Sequence, residues 1–141
     1  MSKAIAAIVG YWVERGGFEL MVEVVPKGHG RGLQPSARIK IRRSGKRPWN
    51  FLMVRFSAEH NHEVIDRFPL LVLDTQKDYG AVQGMLYYFV STDLDRAFVI
   101  DPKKAAGVTS HTYSLNGDQV EMAVAPRNNW KVINLWEKGH E

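Results

Sequence analysis

Asp74 and Gln76 close an apolar run, and Gln83 and Tyr87 follow a few positions later. Leu70, Leu71, Val72 and Leu73 are continuous rather than alternating, the pattern of a strand covered on both faces. That places Asp74 and Gln76 at a strand end. Asp78 can cap a helix in which Tyr79, Val82, Leu86 and Phe89 form a sheet-facing stripe. Gly80, Gln83, Gly84 and Tyr87 make its second face. Each glycine costs roughly 1 kcal/mol relative to alanine in a helix, so that face is expected to meet a close backbone or a ligand. Carboxylates on strands beside a positive surface suit metal-assisted phosphodiester hydrolysis. The carboxylates hold a divalent ion (Mg2+ or Mn2+) by oxygen, and a neighbouring polar side chain orients the attacking water.

Other chemistries lack their local signatures. There is no GxSxG elbow, no dinucleotide fingerprint and no HExxH. The glycines of residues 26–36 do not have phosphate-loop spacing, and that stretch reads as a connector. The chain has no cysteine, which excludes disulfides, thiolate zinc sites and cysteine nucleophiles. His60, His62 and Glu63 can share a metal on an extended segment, or simply form a solvated loop.

The net charge of +4 is unevenly spread. From Val24 to Ala58 there is no acidic residue, and nine of the 19 basic residues fall there. Arg31, Arg38, Lys40, Arg42, Arg43, Lys46 and Arg47 are the candidate nucleic-acid contacts, on a loop and a hairpin with a basic outer face and tip. Isolated cations on a strand also serve solvation or edge protection.

These residues need a scaffold, and 141 residues with 45% apolar content suffice for one domain spanning residues 1–141. A first helix is expected to about Arg15, ended by Gly16 and Gly17. Phe18 to Val25 alternates as a half-buried strand. Strands over 37–43 and 49–56 make the basic hairpin. After the stretch 66–101, Asn116-Gly117 joins strands 111–115 and 119–124. A last strand, or a short helix, covers 129–136. Trp12, Phe51, Leu71, Leu86 and Phe98 are expected in one core cluster. No apolar run reaches the roughly 20 residues of a membrane span. With no convincing small-residue cleavage site near the N-terminus, a cytoplasmic protein is expected.

The order helix, strand, central hairpin, helix, strand resembles the PD-(D/E)XK nuclease fold over most of the chain. Asp74-Thr75-Gln76 closes a buried strand as the family's (D/E)-x-K does, with glutamine in the lysine position. Gln83-Gly84-Met85-Leu86-Tyr87 is similar to the QxxxY motif on the helix after the catalytic strand in one branch. The resemblance implies that Asp66 is the upstream aspartate and that Asp66 and Asp74 hold the metal, with Gln76 completing the site. It also makes Glu14 a candidate helix carboxylate. A second alignment takes 37–43 and 49–56 as the catalytic hairpin. Met53-Val54-Arg55 then falls at the acidic and lysine positions, and the site is dead.

The expectation is therefore an α+β domain with a central mixed sheet, flanking helices and nuclease-like topology. It binds nucleic acid and uses Mg2+ or Mn2+ if it is an enzyme. The alternative is a non-catalytic or inhibitory module docking on nucleic acid or on an acidic protein surface. Self-association through the hairpins is a third reading.

Overall fold

The computed structural model describes residues 2–23, 36–47, 49–56, 60–76, 79, 85–103, 107–115 and 117–135. Helix α1 (Ser2–Arg15) leads into β1 (Phe18–Glu23), β2 (Ser36–Arg43) and β3 (Asn50–Phe56). A one-turn helix α2 (His62–Ile65) precedes β4 (Leu70–Thr75), β5 (Met85–Val90) and β6 (Arg96–Ile100). The chain closes with β7 (Thr109–Leu115), β8 (Asp118–Pro126), a 3-10 turn (Arg127–Asn129) and β9 (Lys131–Asn134). Among the described residues no helix is long and apolar enough to cross a membrane.

Six strands form one sheet in the order β1-β2-β3-β5-β6-β9, and three form another in the order β4-β8-β7. Among the described residues β3 and β5 are the one parallel pair of the large sheet. The chain between them contributes β4 to the small sheet. The large sheet is the middle layer. Ala4 and Ile8 of α1 pack on one face against Ile39, Leu52, Val54, Tyr88 and Val90. On the other face Met53, Tyr87, Phe89, Phe98 and Ile100 meet Leu71 and Leu73 of β4 and Ala125 of β8. Alternation along β5 explains the division, with Met85, Tyr87 and Phe89 toward the small sheet and Leu86, Tyr88 and Val90 toward α1.

This architecture overturns the expected α+β class with flanking helices and nuclease-like topology. The described chain is mostly strand, with one helix longer than a single turn. The decisive difference is β5. Tyr79, Leu86 and Phe89 do fall at helical spacing, but Met85–Val90 is six apolar residues in a row, rich in aromatics. Such a run suits a central strand buried on both faces, and periodicity alone cannot tell that from a buried helix. Tyr87 thus lies on a strand and not on a helix, while its expected motif partner Gln83 and the cap Asp78 lie outside the described residues. β4 and β6 belong to different sheets.

Other boundaries agree closely with the sequence reading. The first helix ends at Arg15, where Gly16 and Gly17 take φ of +72° and +78°, a conformation that favours glycine. The basic hairpin and the final hairpin form with antiparallel registers, although Asn116 lies outside the described residues. The expected single core is two. Leu71 and Phe98 lie between the sheets with Phe51 packed against them, whereas Trp12 and Leu86 join the cluster under α1.

Leu73 has no exposed surface and sits between the two sheets. Leu73→Ala is expected to lower unfolding free energy by about 2–5 kcal/mol, through lost transfer free energy and the cavity left behind. Urea denaturation measures it, and a loss well below about 1 kcal/mol would contradict the packing described.

Candidate anion-binding cleft

At one end of the large sheet β2 and β6 finish while β3 and β5 begin. The last turn of α1 stands over this end, and the chain turns at Gly16 and Gly17 into β1. The result is a cleft of about 410 Å3 with an apolar wall of Trp12, Phe18, Ile41, Leu52 and Leu86. Its rim carries Arg42, Arg43, Lys46, Arg47 and Lys103, against the single carboxylate of Asp101. Trp12 meets Phe18 edge-on at 4.9 Å between ring centroids. The Arg43 guanidinium lies 5.3 Å from the centre of the Phe18 ring.

A second cleft, also about 410 Å3, continues on the far side of Trp12 over β5, β6 and β9. It shares Trp12, Leu86 and Asp101 with the first and adds Tyr11, Tyr88, Asn128, Asn129 and Lys131. Trp12 is the partition between a cationic recess and a polar, aromatic one.

The basic residues separate into groups that the sequence window merged. Arg55 is 1% exposed and belongs to the interior. Arg38 and Arg42 pair across the strands with Glu23 and Glu19, at 3.0 and 2.7 Å. These two carboxylates lie just N-terminal to the acid-free window and return to it through the β1–β2 register, Glu19 opposite Arg42 and Glu23 opposite Arg38. The hydrogen bonds from Arg42 and from the Gly45 backbone hold the Glu19 carboxyl below its usual range. Arg42 and Lys40 also lie over the Trp49 ring, at 4.3 and 6.0 Å. Among the described residues no carboxylate forms an ion pair with the side chains of Arg43, Lys46, Arg47 or Lys103, although Asp101 Oδ1 accepts from the Lys103 backbone N–H at 3.0 Å. Arg31 lies outside the described residues.

The expected catalytic carboxylates occupy separate places. Asp74 is 1% exposed and faces Arg55, with Nη2 to Oδ2 at 3.4 Å. Its other oxygen accepts from the Thr75 backbone at 2.9 Å, and the Tyr87 hydroxyl lies at 3.5 Å from Oδ2. Burial and the nearby Asp74 charge push the Tyr87 hydroxyl far above its usual range, so it stays protonated as a donor. A bulge in the β4–β8 ladder between Val72 and Asp74 shifts the strand's phase and turns Asp74 inward. Leu73 drops out of the ladder register there, and its carbonyl accepts from Arg55 Nε at 2.7 Å.

Asp66 is exposed at the C-terminal end of α2, where it pairs with Arg127. Arg127 in turn donates its backbone N–H to Pro69, just before β4. Asp74 lies four residues beyond Leu70, about 13 Å at the rise of a strand. Gln76 is exposed past the end of β4 and donates its backbone N–H to Glu121. The structure thus does not bring Asp66, Asp74 and Gln76 to one solvent-facing point. Asp74 balances a buried guanidinium.

One donor group was foreseen only in part. His62 Nδ1 lies 2.6 Å from Asp93 and 3.5 Å from Asp95. Among the described residues these are the only three metal-ligating groups that converge, their ligand atoms within 4.8 Å of one another. Glu63, the neighbour the sequence suggested, is not in this group. Asp93 and Asp95 flank Leu94, whose φ of +57° shapes the β5–β6 turn. His62 was a candidate ligand from the sequence, but its partners Asp93 and Asp95 were not. Burial pushes the Asp93 carboxyl up, but hydrogen bonds from Ser91 and His62 and the charge of His62 outweigh it, leaving the carboxyl below its usual range.

No family model, curated protein or solved structure matches the chain.

Two outcomes follow from these contacts. Asp74→Ala is expected to cost about 3–5 kcal/mol, because it leaves the Arg55 charge buried without its carboxylate. Replacing both by apolar residues of similar volume should recover much of that loss. Equal urea-unfolding curves for wild type and Asp74→Ala would refute the pairing. For Asp93 the sign follows from a lowered folded-state pKa. Its stabilising contribution is present above the ordinary carboxylate pKa and is lost as pH falls through the lowered value. The stability gap between wild type and Asp93→Asn should therefore be wide near pH 6 and narrow below about pH 4. A gap that stays constant over that range would contradict it.

Proposed function

We propose that this chain is a nucleic-acid-binding protein and that the cleft at the end of the large sheet is its contact surface. The observation that carries this reading is the rim. Arg43, Lys46, Arg47 and Lys103 stand round an aromatic-walled recess, their side chains without ion-pair partners among the described residues. Their summed field attracts a polyanion and raises its encounter rate. The recess lets apolar contact add to charge, which a flat basic patch cannot do. Arg38 and Arg42 contribute less, because Glu23 and Glu19 already offset them. An acidic protein surface would satisfy the same cations, but the ring-lined wall favours a ligand that carries planar rings between its charges.

The test is fluorescence anisotropy of a labelled oligonucleotide across a series of salt concentrations. Replacing Arg43, Lys46, Arg47 and Lys103 together by alanine should weaken binding and reduce the slope of log K against log salt by up to about 3, since fewer counterions are released. Unchanged affinity and slope in that variant would move the contact elsewhere. Binding to an acidic peptide but to no oligonucleotide would transfer the surface to a protein partner.

A further inference from the structure

We infer that the ligand of this cleft is single-stranded nucleic acid, held with an unpaired base beside Trp12 and its phosphates on the rim. This rests on the nucleic-acid reading and specifies the form. Charge divides the site into two parts. Arg43, Lys46 and Arg47 cluster on the β2–β3 turn, on one side of the recess. Asp101 lines both clefts at the partition formed by Trp12 and Leu86. A phosphate at the partition would meet a carboxylate and an apolar wall, which offset the attraction of neighbouring Lys103. A base meets a ring to stack on and an acceptor for its amino or imino hydrogens.

Shape points the same way. Each cleft, at about 410 Å3, is within the size range of pockets that enclose a small ligand. A duplex keeps its base faces stacked inside and presents phosphates on a convex cylinder. It can touch the rim but cannot fill the recess. An unpaired nucleotide can turn its base in while its backbone stays on the cations. The second cleft extends the track beyond Trp12, where Asn128 and Lys131 supply polar and charged groups for a following nucleotide.

The experiment compares labelled oligonucleotides of one length at one salt concentration. They are a mixed-sequence single strand, its duplex, and an abasic strand with the same number of phosphates. The natural single strand should bind roughly tenfold tighter than the abasic strand, the scale of one stacked base, and tighter than the duplex. Running the set in ribose and deoxyribose forms identifies the sugar, and a preference for the unpaired base in either form supports the inference. Asp101→Asn sharpens the test without touching the apolar core. If Asp101 accepts from a base, the variant should bind the abasic strand more tightly and the natural strand less tightly. Equal gains for both strands would mean that Asp101 only repels phosphate. Trp12→Phe, which keeps a smaller ring, should shrink the preference over the abasic strand and leave the salt slope unchanged. Natural, abasic and duplex forms binding alike would overturn this inference and leave the polyanion reading intact. Binding by none of them would overturn both.

Discussion

The two sheets are joined through a buried charge. Arg55 rises from β3 in the large sheet, donates to the Leu73 carbonyl on β4 and faces the Asp74 carboxylate beside it. With 1% of each residue exposed, neither charge has water to fall back on. The bulge in β4 sets the height at which Asp74 and the Leu73 carbonyl meet the guanidinium. Sliding the small sheet by a residue would separate the charges in a medium that screens them poorly. Apolar packing between the layers is non-directional and would accept several registers. The ion pair and the bulge select one, and Tyr87 on β5 is drawn into the same arrangement through Asp74.

That role differs from the one read for Asp74 from the sequence. An aspartate after four apolar residues looks like a carboxylate offered at the mouth of a site. Nothing local reveals a bulge that turns it inward, or an arginine 19 positions earlier in the chain facing it from another sheet. The opposite error affected the cations. A window without acids suggested a uniformly basic hairpin, yet Glu19 and Glu23 stand outside it in sequence and inside it in space. Strand register carries that information, and register depends on pairings that a linear window does not contain. The partners of His62 were hidden for the same reason, since the two aspartates lie across the turn that follows β5.

Elements with strong local signals were legible. The paired glycines marked the end of α1, alternation marked β1 and β2, and the final hairpin appeared where its turn residues placed it. Met85–Val90 was legible as buried but not as strand, because aromatic residues at adjacent positions satisfy both periods. The error was consequential. Reading β5 as a helix removed the strand that makes the large sheet continuous between β3 and β6, and with it the floor of the cleft. Leu86 then seemed a core residue of a helix, whereas it lies on the face of a central strand at the partition between two recesses.

The placement of the cations separates folding from function. Lysine and arginine on strands often guard an open sheet edge. That explanation does not apply to β2, which is paired on both sides by β1 and β3. Nor does the turn after it need charge. Its reversal uses Gly45 at φ +73° and a backbone bond from Lys46 to Arg43, which uncharged side chains at 46 and 47 would permit equally. Placing Arg43, Lys46 and Arg47 within five positions adds mutual repulsion to the folded state. Glu19 relieves Arg42 but does not reach the other three, whereas Trp12, Phe18 and Leu86 of the wall next to them are half-buried. Cations without ion-pair partners beside half-buried rings are the two features on which the proposed nucleic-acid contact rests.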